Sequence, residues 1–214
     1  MDARQFRLDE GIALLERTPS TLDALLRGMP EPWVACDEGP DTWSPFVVLG
    51  HLIHGEKTDW IPRARRILDD GEKKAFDPFD RFAQLRDSKG KALAELLDEF
   101  SILRRKSLDE LAALKLGERD LERRGRHPEL GAVTLGELLA TWAVHDLDHV
   151  QQIARVMAKR WGDACGPWKK FLRVVRETRH PSRKVFEERA SMLAWLGETL
   201  SPAERERLAQ FLPS

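Results

Sequence analysis

The chain has 214 residues, 42% of them hydrophobic, and its 35 lysines and arginines against 36 aspartates and glutamates leave a formal net charge of −1. That length can bury a core without disulfides or metal, and the balanced charge argues against nucleic acid or an anionic membrane as a partner. No apolar stretch approaches the roughly 20 residues that cross a bilayer, and Cys36 and Cys165 lack disulfide-framework or ligand-like spacing, so a cytoplasmic protein without membrane attachment is expected.

Long amphipathic segments punctuated by proline, glycine and serine predict helices joined by loops. An opening segment over residues 6–16 leads to Thr18-Pro19, where threonine can cap and proline can take the first helical position of a helix over 19–27. After the irregular run MPEPWVACDEGPDTW, Ser44-Pro45 repeats the device and starts a second helix predicted over 45–69. Leu93, Leu97, Phe100, Leu103, Leu108, Leu111 and Leu114 then hold a helical period, giving a third helix over 89–114. ERRGRHPELGAV reads as a linker. Thr134 with Glu137 forms a capping box that opens a fourth helix reaching about residue 160, and GPWKKFLRVV is expected to pack back on the bundle. His180-Pro181-Ser182 and Ser201-Pro202 open two further helical segments. Together these predict an all-α fold, a four-helix bundle with extra N-terminal and C-terminal segments, divided into a bundle domain (1–174) and a C-terminal appendage (175–214).

The chemistry concentrates on histidine. On the fourth helix Leu135, Leu138, Trp142, His145, His149, Gln152 and Val156 recur three and four apart and make one inward stripe. A bundle core normally takes leucine there, and buried polar groups without partners are costly, so these residues either carry hydrogen-bonded partners or bind something. Imidazoles four apart can converge on one ion. The second helix offers a matching stripe, Val47, His51, His54, Thr58 and Ile61, so a third imidazole can meet the other two. His54 is open to three readings: the ligand in place of His51, a fourth ligand, or a packed histidine. Gln152 can orient a bound water or substrate, or be a satisfied core amide. His127, beside a proline, is read as structural or exposed. HDLDH has the histidine spacing of the HExxH zinc peptidases, but Asp146 is a methylene shorter than the glutamate such enzymes use. Asp148 faces away from the stripe, so both acids read as solvated or salt-bridged surface residues. Glu56 is turned away from the face of His51.

The strings TPSTLDALLRGMP, DEGPDTWSPFVVLGHLIHGEKTDWIPRARRIL, FDPFDRF, HPELGAVTLGELLATWAVHDLDHVQQIARVMAKRW and GPWKKFL, in that order over about residues 18–174, resemble the DinB/YfiT-like metal-binding family. The resemblance implies a four-helix bundle with three histidine ligands, one in VLGHL and two in HxxxH. Those positions are His51, His145 and His149, and His54 is disfavoured. It further implies a divalent metal, with zinc or nickel the leading candidates, and a homodimer. The activity it implies is that of a metal-dependent hydrolase, or of a transferase using a low-molecular-weight thiol, acting on a small-molecule substrate. A non-catalytic metal-binding or scaffold protein is the alternative from another class. No catalytic residue beyond the metal ligands is assigned, and no organic cofactor is expected.

Overall fold

The computed structural model describes residues 6–40, 42–80 and 82–176. Short helices α1 (Leu8–Leu15) and α2 (Thr18–Leu26) lead through α3 (Glu31–Val34) to α4 (Pro45–Thr58) and α5 (Trp60–Asp69). A long crossover containing α6 (Ala83–Asp87) precedes α7 (Leu93–Ala113). Then come α8 (Glu118–Leu121), strands β1 (Arg124–His127) and β2 (Gly131–Thr134), the long α9 (Leu135–Lys159) and α10 (Arg173–Arg176). The two predicted C-terminal helices and nearly all of the predicted appendage lie outside the described residues.

The caps explain where the site-bearing helices begin. Ser44 Oγ accepts from the Val47 amide at 3.3 Å, with Pro45 at the first helical position of α4. Thr134 and Glu137 close the expected capping box: the Thr134 amide donates to Glu137 Oε2 at 2.7 Å and the Glu137 amide to Thr134 Oγ1 at 3.1 Å. Thr18 does not cap as expected. It is already helical, and its hydroxyl donates back to the Leu14 carbonyl at 3.4 Å.

The second predicted helix is two. Asp59, at φ −108° and ψ −69°, breaks it between α4 and α5. Pro62 accounts for the break, because it has no amide proton for the Thr58 carbonyl and its ring crowds that group. The predicted linker before α9 contains an antiparallel hairpin, registered from Arg124 opposite Thr134 to His127 opposite Gly131. Gly125 is required in β1, since a Cβ there would lie 2.5 Å from Ile67 Cγ1. The segment after α9 does return to it, burying Val175 of α10 while Trp168 and Phe171 stay exposed.

Two apolar clusters form the core. One gathers Leu15, Trp60, Ile61, Ala64, Ile67, Leu111, Leu135, Leu139 and Trp142, the other Leu22, Leu26, Val48, Leu49, Leu52, Leu96, Phe100, Ile153 and Met157. Cluster membership fixes direction: α4–α5 and α7 run from the second cluster to the first, whereas α1–α2 and α9 run the other way. Two consecutive rods pointing the same way need the long crossover between them. Between the clusters each rod contributes buried polar residues: Thr18 from α2, His51, His54, Glu56 and Asp59 from α4 and its end, Arg104 and Ser107 from α7, Asp146, His149 and Gln152 from α9. The bundle thus has apolar ends and a polar waist.

Asp59 belongs to that waist. Burial pushes its carboxyl up to about 6, against the pull of Arg63 at 2.6 Å. This lies above the ordinary value of 3.8, so between about pH 4 and pH 6 the folded chain holds more proton than the unfolded one, and stability falls as pH rises through that window. Denaturant unfolding of the parent and of Asp59→Asn should therefore diverge between pH 4 and 6.5. The variant is expected to gain on the parent with rising pH by about 1–3 kcal/mol.

Candidate metal centre

The polar waist brings three imidazoles together. His51, midway along α4, and His145 and His149, one turn apart on α9, place a nitrogen atom each within 4.8 Å of one another. His51 Nε2 and His149 Nε2 both lie 3.1 Å from His145 Nε2. Three like atoms facing inward are poor hydrogen-bonding company, because His145 Nε2 carries either one proton or one lone pair and faces two neighbours. They are good company around a cation. Zinc–imidazole bonds of about 2.0–2.1 Å put tetrahedral donors roughly 3.3 Å apart, close to the two 3.1 Å separations from His145 Nε2. The nitrogen set therefore fits a divalent ion.

The surroundings favour a neutral His145 and an oriented His149. Burial, reinforced by His149 and Arg104, pushes His145 down to about 3, so its lone pair is available at neutral pH. Gln152, one turn beyond His149, places its amide oxygen 2.8 Å from His149 Nδ1. An Nδ1–H donating to that oxygen leaves Nε2 as the lone-pair nitrogen directed at the other two rings. Aromatic rings enclose the trio: Trp43 lies 4.9 Å from His51 and stacks on His149 at 6.4 Å, Phe79 meets His51 edge-on at 5.4 Å, and Trp60 meets His145 edge-on at 5.1 Å. Such a shell lowers the local dielectric and strengthens any ion–dipole contact inside it.

The loop that carries Trp43 is anchored. Arg155 of α9 grips Glu38 through both carboxylate oxygens, at 3.0 and 2.8 Å, and Lys159 adds a second cation. Burial would raise the Glu38 carboxyl, yet these two cations hold it below its ordinary value.

Other sequence candidates fall elsewhere. His54 is buried one turn beyond His51, outside the converging trio, with its ring edge-on to Phe79 at 4.9 Å, and burial lowers its pKa. The stripe expected on α4 stops there, because Thr58 is exposed. His127 caps the hairpin turn, its Nδ1 accepting from the amides of Glu129 and Leu130 at 3.1 and 3.2 Å. Asp148 is exposed as expected. Asp146 is salt-bridged, but it is fully buried and not on the surface. With Glu56 it holds Arg104, a residue that the leucine period of α7 passes over. Its signal was present: Leu97, Phe100, Arg104, Ser107 and Leu111 follow a three-four spacing, which places an arginine on the buried face.

The model of the DinB superfamily matches residues 14–153. The chain belongs to the DinB superfamily. Among solved structures, this DinB chain is similar to YfiT from Bacillus subtilis, described as a probable metal-dependent hydrolase with an unusual four-helix bundle topology. The TM-score is 0.63 at 22% identity, over 76% of this chain and 91% of that one. It is also similar to TT2238, described as a four-helix bundle protein, with a TM-score of 0.48 at 23% identity over 68% of this chain and 96% of that one. At such identity the first likeness speaks for the fold. No functionally curated protein matches the sequence significantly.

If Gln152 holds the tautomer of His149, nitrogen NMR of the metal-free protein should show His149 protonated on Nδ1. In Gln152→Leu the ring is expected to populate both tautomers while the helical circular dichroism is retained.

Proposed function

We propose that this protein is a metal-dependent enzyme in which His51, His145 and His149 hold one divalent ion, zinc or nickel. The observation that carries the reading is the convergence of three Nε2 atoms in an aromatic, buried pocket. Three protein ligands leave room for one more, and when bound the ion lowers the pKa of a water or thiol placed there, or polarises a substrate oxygen. The chain's own residues supply the rest. Gln152 orients His149, Trp43 and Phe79 wall the site and exclude bulk water, and Trp60 supports the ring of His145.

One observation bears on the reaction. In the HExxH peptidases the acid following the first histidine serves as base, whereas here Asp146 is held through both oxygens by Arg104 at 2.5 and 3.0 Å, and Glu56 shares the same guanidinium. Asp146, with both oxygens engaged, is thereby withdrawn from proton transfer. This favours a nucleophile acidic enough to ionise on the ion itself. A low-molecular-weight thiol, with an ordinary pKa near 8.5, meets that demand more readily than water does. Transfer of such a thiol to a small-molecule substrate is therefore one activity of the site, and hydrolysis, the activity named for YfiT, is the other. The net charge of −1 supports a small-molecule substrate over a nucleic acid. The same reading includes a homodimer in the cytoplasm.

Elemental mass spectrometry on untagged protein purified without chelator tests the reading. About one ion per chain is expected in the parent, and loss of nearly all of it in His51→Ala, His145→Ala and His149→Ala with helical content intact. A folded parent that takes up neither zinc nor nickel would overturn the proposal. Screening the loaded protein against activated esters and against thiol acceptors then separates the two activities, and inactivity in both with a coordinatively closed ion would point to a structural metal.

A further inference from the structure

Arg104 sits at the centre of the polar waist with 1% of its surface exposed. Its guanidinium carries five N–H donors, and each has an acceptor. Nε donates to Glu56 Oε1 at 3.1 Å, and Nη2 donates to the same oxygen at 2.8 Å and to Asp146 Oδ1 at 3.0 Å. Nη1 donates to Asp146 Oδ2 at 2.5 Å and to the Leu15 carbonyl at 2.9 Å. Four helices meet on one side chain: α1 through Leu15, α4 through Glu56, α9 through Asp146, and α7, which carries the arginine. Trp142 of α9 adds a bond from its Nε1 to Glu56 Oε1 at 3.1 Å. Trp142 also stacks on Trp60 at 5.8 Å, and Trp60 in turn meets His145.

The placement relative to the imidazoles matters. Glu56 lies five residues beyond His51 on α4, about 7.5 Å along the axis, and Asp146 is the neighbour of His145 on α9. The two carboxylates that Arg104 joins thus belong to the two helices that must bring His51 to His145 and His149. Apolar clusters hold those helices together, but burial is non-directional and tolerates sliding, whereas a fork with five aligned donors does not. A metal centre tolerates only about 0.5 Å of misplacement. Stability alone is a poor reason for a buried ion triad, since apolar replacement of such groups is often neutral or stabilising.

We infer that Arg104 is a positioning residue for the three-histidine centre: by clamping Glu56 and Asp146 it fixes the register of α4 against α9 and so sets the affinity and geometry of metal binding. The inference rests on the metal-binding reading of the preceding subsection.

The test separates register from stability. In Arg104→Met/Glu56→Gln/Asp146→Leu the charges are removed together, so that no carboxylate is left buried alone, and the chain should keep its helical circular dichroism and melt within a few degrees of the parent. Its zinc dissociation constant, measured by competition with a chromophoric chelator, should rise about 10- to 100-fold. The visible absorption of its cobalt(II) form should shift or weaken. Arg104→Lys, which keeps a charge but not the fork, provides the second reading and should weaken zinc binding by a smaller factor. Either variant, folded at the temperature of measurement, that binds zinc within threefold of the parent and reproduces its cobalt spectrum overturns the inference. Failure of the parent itself to bind zinc or cobalt is a different result. It removes the metal reading, and the positioning role with it.

Discussion

A buried guanidinium that must satisfy five donors away from water is the constraint around which this bundle is arranged. An arginine cannot shed its charge, so the surrounding chain has to supply acceptors from every direction in which the fork points. Burial by itself would lower the pKa of Arg104, but Asp146 and Glu56 more than reverse this and hold it above its ordinary value. Those acceptors are the carbonyl of Leu15 at the end of α1, Glu56 of α4 and Asp146 on the inward face of α9. The apolar clusters on either side then fill whatever volume those positions leave. The imidazoles occupy the same layer, which is why a site with three nitrogen atoms in near contact can exist inside a helical core.

The layer separates two kinds of polar chemistry. Towards Arg104 every donor is matched and the groups are charged. Towards the imidazoles the rings are lined by Trp43, Phe79 and Trp60, and their nitrogen atoms converge, with His145 Nε2 shared between two neighbours. The first half leaves one buried oxygen, Glu56 Oε2, without a partner, and the second offers a nitrogen set that fits a cation. Neutrality matters here, because only unprotonated imidazole is a ligand, and the aromatic shell that depresses the pKa of His145 also strengthens the bond such a ligand makes.

Much of this was legible from residue order. The Ser44-Pro45 and Thr134-Glu137 signals located the starts of both histidine-bearing helices because capping is local chemistry, decided within four residues. His51, His145 and His149 stood out because histidine on an apolar stripe demands a reason, and resemblance to DinB proteins chose among the alternatives. The hairpin at residues 124–134 was not legible: RGRH and GAVT are too short to show alternation, and their pairing depends on packing of Gly125 against Ile67. The break at Asp59 was readable from Pro62, three residues on, but an unbroken apolar period on both sides masked it. Asp146 was misplaced for a deeper reason. An acid beside a histidine gives no sign of burial until its partner is known, and that partner, Arg104, lies 42 residues away on another helix.

The fate of Asp146 bears on how a metal site differs from its look-alikes. HDLDH shares with the HExxH peptidases the spacing that lets two imidazoles converge, but the acid that follows the first histidine lies about 100° around the helix from it, and what that direction meets depends on the neighbouring helix. Here it meets Arg104, so the acid is consumed in holding the helices and is withdrawn from proton transfer. Around the candidate site this chain sets three imidazoles, an aromatic wall and an acid already held by Arg104. On the proposed metal-dependent reading, chemistry there would depend on the acidity of whatever binds the ion, which favours a substrate or co-substrate that carries its own ionisable nucleophile over one that relies on Asp146 to generate it.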